Sequence, residues 1–161
     1  MESRGIFRGY ALQAVDAKGR VAIPAGLRAT IERNSPDKFL VLSKHESDAC
    51  LVGYDREFSP ILHARLQQRE AEDRAAGRTG SRHNINRAAF GLVEDVSFDS
   101  SGRFILPSFM RKKAGIEDWA FFLATGDTFD IWNPDTALAS ETLDEDTKDV
   151  IRHLKEERGI A

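Results

Sequence analysis

The sequence contains a single cysteine, so no disulfide bond can form within the chain. Cys50 lies in the apolar stretch "ACLVGY", and we predict that it is a buried thiol. The four histidines are scattered without the spacing of metal ligands, and the motifs H-E-x-x-H, C-x-x-C, G-x-S-x-G and the Walker loop do not occur. These absences predict no metal, no cofactor and no enzyme, although a catalytic site assembled from distant residues stays open.

Long apolar runs are also missing. No segment approaches the roughly 18–20 apolar residues that a membrane-spanning helix needs, and the first residues, "MESRGIFRGYALQ", lack the apolar core of a secretory signal. A hydrophobic content of 41% with 30% charged residues is typical of a soluble globular protein. We therefore expect a cytoplasmic protein that does not associate with membranes.

Charge is distributed unevenly along a chain whose formal net charge is −3. Residues 1–113 carry 19 Lys and Arg against 14 Asp and Glu, a net charge of +5, and residues 114–161 carry 4 against 12, a net charge of −8. A basic face can attract phosphate although the whole molecule is acidic. Solvated surface charge without any partner explains the same counts, so the charge asymmetry alone does not show whether the protein binds nucleic acid.

One segment of the chain occurs twice. Residues 15–28 read "VDAKGRVAIPAGLR" and residues 98–111, at an offset of 83, read "FDSSGRFILPSFMR". Each copy is followed by an apolar run, a polar turn and a second apolar run, and Phe7 corresponds to Phe90 at the same offset. Five positions are identical: Asp16/Asp99, Gly19/Gly102, Arg20/Arg103, Pro24/Pro107 and Arg28/Arg111. Two copies are too few for a solenoid and predict two halves that pack together about a pseudo-twofold axis.

The joint between the halves is predicted at "GRTGSRH", residues 77–83, which is rich in Gly and Arg. The first module then spans 1–76. The second spans 84–161 and ends in an acidic helix.

Apolar alternation predicts strands in "YALQAVD", "RVAIP", "GLVEDVSFD" and "RFILP". Between the strands of each pair, D-x-x-G predicts a tight turn, because Asp accepts backbone N–H groups and Gly adopts positive φ. Pro24 and Pro107 end a strand and suit the first turn of the short helix that follows. The predicted fold class is mixed α/β, mainly β, with short helices and a C-terminal helix.

Two further segments have helical periodicity. Residues 55–76 place four apolar side chains on one face: Phe58, Ile61, Leu62 and Leu66. Residues 144–159 place Thr147, Val150, Ile151 and Leu154 in one stripe along a predicted helix. This helix begins with acidic residues and is expected to stop at Gly159. We expect the acids at 144–146 to cap this helix. The stripe fits docking on the chain's own body, the commoner case, or on a neighbouring subunit.

The two turns are the best candidates for a functional site. In each, D-x-x-G-R places an arginine, Arg20 or Arg103, directly after the turn. Arginine binds phosphate through two hydrogen bonds and reads the O6 and N7 atoms of guanine. Lys18 adds charge to the first turn only, because Ser101 takes that position in the second. The alternative is that each arginine merely forms an ion pair across the turn with Asp16 or Asp99.

Other candidates carry less specific signals. Arg28 and Arg111 fit a structural contact or a general phosphate contact on the short helices. For Trp119 and Trp132 we favour the core or an interface over base stacking.

The segments "FRGYALQAVDAKGRVAIPAGLR" and "FGLVEDVSFDSSGRFILPSFMR" resemble the two D-x-x-x-R modules of the MraZ family of bacterial transcriptional regulators. The resemblance covers almost the whole chain. It implies a SpoVT-AbrB domain fold, here a duplicated swapped-hairpin barrel formed by the two pseudo-twofold-related halves. The second turn departs from the family pattern, since no basic residue precedes Gly102, and the second half is expected to contact DNA less.

The resemblance also implies a function. Such proteins form homo-oligomeric rings that bind tandem repeats of double-stranded promoter DNA and repress their own cell-division and cell-wall gene cluster, at the nucleoid. Carried over by position, Arg20, Lys18 and Arg103 are expected to bind DNA, with Arg20 as the leading contact. Arg8 and Arg28 complete the expected set of DNA-binding residues. The expected turn-forming residues are Asp16, Gly19, Asp99 and Gly102. The alternative is a ring-forming scaffold or interaction protein without specific DNA binding.

Overall fold

A computed structural model describes residues 3–78, 80 and 82–161, so Thr79 and Ser81 of the predicted linker lie outside the described residues, as do Met1 and Glu2 of the first module. The strands are β1 (Tyr10–Ala14), β2 (Arg20–Ala22), β3 (Phe39–Lys44), β4 (Leu51–Tyr54), β5 (Glu94–Ser97), β6 (Arg103–Ile105), β7 (Trp119–Ala124) and β8 (Phe129–Trp132). The α-helices are α1 (Ala25–Asn34), α2 (Ser59–Ala75), α3 (Arg82–Asn86), α4 (Ser108–Ala114), α5 (Pro134–Ala139) and α6 (Glu145–Glu157). The predicted mixed α/β class is confirmed.

The predicted strands and turns form where the sequence pattern indicates them, except that β5 begins at Glu94 and Gly91, the first residue of its predicted strand, lies in a π-helical segment. Six strands make one antiparallel sheet in the order β1-β7-β8-β4-β3-β5, and β2 and β6 form a separate antiparallel ribbon. The helices α1 and α4 begin directly after Pro24 and Pro107, as the prolines predict. A 3₁₀ turn, Arg56–Phe58, leads into α2, and a π-helical segment, Arg87–Gly91, precedes β5.

Strand pairing crosses between the two halves of the chain. β1 of the first half pairs with β7 of the second, with Tyr10 opposite Leu123, and β5 of the second half pairs with β3 of the first, with Ser97 opposite Phe39. The ribbon of β2 and β6 and the pair β4 and β8 also join one strand from each half. Neither half therefore has a complete sheet of its own.

The main core takes side chains from both halves. Phe129 on β8 packs edge-to-face on Phe7, with ring centroids 5.1 Å apart, and lies 6.1 Å from the ring of Phe122. The same ring covers Gly53 on β4, where an added Cβ would lie 2.6 Å from Phe129. Cys50 is fully buried, as predicted, and desolvation raises the pKa of its thiol.

A smaller cluster lies beneath the C-terminal helix. It contains Leu12, Cys50, Phe121, Trp132, Ala137 and Ile151, with Trp119, Val150 and Leu154 packed against it. The apolar stripe of α6 thus docks on the chain's own body, and both tryptophans belong to the core cluster, as expected. The carboxylate of Asp144 caps α6 by accepting the N–H of Thr147 at 2.9 Å, and Arg158 donates to the Leu12 carbonyl at 2.7 Å.

Candidate nucleic-acid interface

The two D-x-x-G-R turns have the same hydrogen-bond pattern. Asp16 Oδ1 accepts the backbone N–H groups of Lys18 and Arg20, each at 2.9 Å, and Oδ2 accepts Arg20 Nε at 2.7 Å. Asp99 repeats this arrangement with the backbone N–H groups of Ser101 and Arg103 at 2.9 Å and with Arg103 Nε at 3.2 Å. One carboxylate therefore closes each turn and also orients its arginine.

Glycine is required at the fourth position of each turn. Gly19 has φ +82° and Gly102 has φ +80°, a conformation that other residues adopt only at a cost. The sequence prediction of Asp16, Gly19, Asp99 and Gly102 as turn-forming residues agrees with this geometry.

The ribbon of β2 and β6 holds the two turns together. Arg20 lies opposite Ile105 and Ala22 lies opposite Arg103 in the antiparallel register. At either end, the carbonyl of a turn glycine accepts an N–H from the other half: Leu106 donates to Gly19, and Ile23 donates to Gly102, both at 2.9 Å. The turns consequently lie at opposite ends of one short ribbon.

The two arginines share the outer face of the ribbon. Val21 and Phe104 point inward and are 2% exposed, so their neighbours Arg20 and Arg103 project outward. Arg20 and Arg103 are diagonal neighbours in this register, a position in which residues lie about 7–8 Å apart. The pairing of β2 with β6 thus places the guanidinium groups of Arg20 and Arg103, which are 83 positions apart in the sequence, on one surface.

Each arginine forms the cross-turn ion pair that the sequence offered as an alternative to DNA binding. The contact uses Nε only, and no residue in the described part of the chain accepts a hydrogen bond from Nη1 or Nη2 of Arg20 or Arg103. Their side chains are 50% and 61% exposed. The backbone N–H of the arginine at the end of each turn is the main cause of the lowered pKa of Asp16 and Asp99, so both carboxylates are ionised at neutral pH. The ion pair therefore positions the arginine and leaves the outer edge of its guanidinium available.

Arginines from the opposite half cover both turns. Arg28 on α1 donates through Nη1 to the Ser100 carbonyl at 3.0 Å, so its structural role lies in the second turn. Arg111 on α4 approaches Gly19 in the first turn and donates to the carbonyls of Ile116 and Glu117 at 3.0 and 2.9 Å. These exchanged contacts could not be predicted, because residue type and spacing do not reveal which turn an arginine covers.

We predict that Gly102→Ala destabilises the protein by about 1–3 kcal/mol, since it imposes positive φ on alanine and places a Cβ 2.9 Å from Arg28 Cδ. Urea unfolding followed by circular dichroism measures the change. The control is Gly26→Ala in α1, where nothing lies within 4 Å of an added Cβ, and which should be neutral or stabilising by about 0.4–1 kcal/mol. Equal stability of the two variants would show that the turn does not need glycine.

The remaining predicted DNA-binding residues occupy different places. Lys18 is exposed within the first turn, next to Arg20. Arg8 is exposed beside α1, where it lines a surface depression with Arg33. Within the described residues, Arg8 forms no hydrogen bond or ion pair with either turn. The structure therefore brings Lys18, Arg20, Arg28 and Arg103 together at the ribbon and leaves Arg8 outside this group.

Across residues 3–78, 80 and 82–161, no three His, Cys, Asp or Glu side chains lie together in a way that would hold a metal ion. Over the same residues, no helix has both the length and the apolar character needed to cross a membrane. The fully buried carboxylate of Asp55 is paired with Arg4 through two hydrogen bonds of 2.8 and 2.9 Å, which ties the N-terminal segment to the body.

Comparison with known proteins finds relatives that share one name. A transcriptional regulator MraZ of Ruegeria pomeroyi is 34% identical over 152 residues, which cover 86% of this chain and 87% of its own length. Transcriptional regulators MraZ of Coxiella burnetii and Legionella pneumophila are each 32% identical, over 127 and 129 residues, and cover 79% and 80% of this chain. No protein-family model matches the chain. At this identity and coverage the chain is a member of the MraZ family of transcriptional regulators, which is a non-enzymatic family.

Proposed function

We propose that the protein is a sequence-specific DNA-binding repressor of its own cell-division and cell-wall gene cluster. The observation that carries this proposal is the pair of arginines on one outer ribbon face, each held at Nε by an aspartate with its Nη atoms free of protein hydrogen bonds within the described residues. Family membership supports the regulatory role, since the relatives are named transcriptional regulators.

The geometry of the ribbon suits the major groove of double-stranded DNA. This groove is about 12 Å wide and admits a two-stranded β-ribbon, so two arginines about 7–8 Å apart can enter it together. Each guanidinium offers its two Nη groups to guanine or to phosphate. Lys18 extends the positive charge at one end of the ribbon, and Arg28 does so at the other, where Ser101 leaves the second turn without a lysine.

The fold behind this face is proposed to be a duplicated AbrB-like swapped-hairpin barrel. The exchanged pairings of β1 with β7 and β5 with β3 support it, because each half completes the sheet of the other. In this proposal residues 1–76 and 84–161 are two modules of one structural unit, joined by the linker at 77–83.

We further propose that several copies assemble into a ring that binds tandem promoter repeats. A single ribbon makes few contacts, and a ring raises the effective concentration of neighbouring ribbons over repeated sites. Repeats about one helical turn apart match such phasing. Self-association is supported by two exposed apolar side chains, Tyr10 in the edge strand β1 and Ile6 in the segment before it, which are 54% and 60% exposed. Acting on promoter DNA, the protein would be located at the nucleoid in the cytoplasm.

The function is tested by a mobility shift with the DNA upstream of the protein's own gene and with random DNA of equal length. We expect preferential binding of the upstream fragment. Affinity should fall about 10³-fold or more between 50 and 200 mM salt if a complex neutralises at least six phosphates. Gel filtration of the same sample should give a mass well above the 18.0 kDa of one chain.

The outcomes separate the alternatives. Assembly without preference for upstream DNA would favour the scaffold, for which the exposed sheet edge would then be the main functional surface. A stable monomer would remove the avidity on which the proposed affinity depends, even if weak DNA binding were retained.

A further inference from the structure

The ribbon face that carries the arginines also carries an apolar side chain. Ile105 is 56% exposed and lies directly opposite Arg20 in the register of β2 and β6. Opposed residues of an antiparallel pair project from the same face with Cβ atoms about 4.5–5.5 Å apart. The residues on either side of it, Phe104 and Leu106, are each 2% exposed and belong to the core. Ile105 therefore contributes to the outer surface beside Arg20 and not to the packing below it.

This apolar residue makes the two ends of the ribbon different. The position equivalent to Ile105 in the first module is Ala22, which lies opposite Arg103. One arginine consequently has a branched aliphatic neighbour across the ribbon and the other has only a methyl group. A second difference follows in the helices, where Phe109 of α4 is 60% exposed and its equivalent in α1 is Gly26. The repeat thus preserves both arginines and differs in apolar residues at these two pairs of equivalent positions.

We propose that Ile105 is a specificity-determining residue that contacts the C5-methyl group of a thymine beside the base contacted by Arg20. This inference rests on the proposed DNA binding. The thymine methyl is the apolar group that base edges present in the major groove, and it is the natural partner of an aliphatic side chain there. Protein–protein interfaces are depleted of charge at their centres, whereas Ile105 shares its face with Arg20 and Arg103. The arginines therefore favour DNA over a second copy of the chain as the partner of this residue.

The test uses two versions of the upstream promoter fragment, amplified with dTTP or with dUTP. Uracil pairs like thymine and lacks only the methyl group. Wild-type protein is expected to bind the uracil fragment about fourfold more weakly for each methyl group in contact. Ile105→Ala should bind the thymine fragment more weakly by the same factor and bind both fragments equally, whereas Ile105→Val should retain most of the preference. The control is Leu92→Ala, which removes a side chain of similar exposure, 57%, from outside the ribbon and should behave as wild type.

Several results would overturn the inference. If Ile105→Ala keeps the full preference for thymine over uracil, Ile105 does not contact the methyl group, even though promoter binding itself stands. If Ile105→Ala elutes at a lower mass than wild type in gel filtration, the residue belongs to a subunit contact. If wild-type protein shows no preference for promoter over random DNA, the proposed function fails, and this inference fails with it.

Discussion

Replacing Arg20 by alanine is expected to abolish the preference of the protein for its promoter. The variant loses the outer guanidinium edge at one end of every ribbon. A bidentate contact to guanine is worth about 1–3 kcal/mol, or roughly 5–150-fold in affinity for each site. Titration of promoter and random fragments in parallel measures the ratio. Asp16 keeps its two backbone N–H partners in the variant, so the turn should remain folded, with a stability within about 0.5 kcal/mol of wild type.

Two further variants show what kind of contact is lost. Arg20→Lys keeps the charge and removes the bidentate geometry, so it should bind random DNA nearly as wild type and lose promoter preference. Arg33→Ala removes the same charge from an exposed position in the last turn of α1, outside the ribbon, and should leave the preference intact. Promoter binding by Arg20→Ala equal to that of wild type would reduce Arg20 to a structural partner of Asp16.

The largest expected effect on stability comes from Phe129→Ala. Truncation of a buried phenylalanine costs about 3–5 kcal/mol, a large part of the 5–15 kcal/mol that is typical of a domain. Phe129 contacts Phe7 from the first half and Phe122 from the second, so its removal weakens the joint core at the point where the halves meet. Thermal and urea unfolding should both show the loss. The matched control, Phe109→Ala, removes a ring that is 60% exposed and should change stability by less than about 0.5 kcal/mol.

A double-mutant cycle with Gly53 tests the same packing. In the wild type, Gly53→Ala would place its Cβ 2.6 Å from the Phe129 ring, and overpacking of this kind costs about 1–3 kcal/mol. In the Phe129→Ala background the ring is gone, so the methyl group of Ala at position 53 can occupy part of the cavity. The free-energy cost of Gly53→Ala should therefore fall. Additive effects of the two substitutions would mean that the ring and Gly53 are not in contact.

Local features of the fold follow from the sequence because their causes are local. Apolar alternation identified the strands, D-x-x-G identified both turns, and Pro24 and Pro107 marked the start of α1 and α4. Each of these signals depends on residues within a few positions of one another. The same holds for the Asp144 cap of α6.

Contacts between the two halves of the chain could not be predicted from such local sequence signals. Alternation shows which face of a strand is buried and says nothing about which strand lies beside it, so the pairing of β1 with β7 was not predicted from the pattern. The repeat also misleads at one pair of positions. Phe7 is buried on Phe129, whereas its equivalent Phe90 lies in the π-helical segment and packs edge-to-face on His63, 5.4 Å away. The different backbone before β5 breaks the equivalence.

The candidate site was also predicted in part. Arg20 and Arg103 were identified by the turn motif, and their ion pairs with Asp16 and Asp99 were foreseen as an alternative. Ile105 was missed, although its place between the inward-facing Phe104 and Leu106 is a signal that strict alternation along "RFIL" would have given. The weaker DNA contact expected of the second module stays a prediction, which the comparison of Arg20→Ala with Arg103→Ala tests.

The exchange of strands between the halves also governs how the protein can be made on the ribosome. Tyr10 cannot pair until Leu123, its partner 113 positions later, has been synthesised, and the edge of the sheet is incomplete until then. At about 5–20 residues per second, translation leaves the first half without its partner strands for roughly 5–20 s. The nascent chain would expose unsatisfied strand edges throughout this interval, which makes it a natural client for chaperones, and slow codons within residues 60–120 would lengthen its exposure.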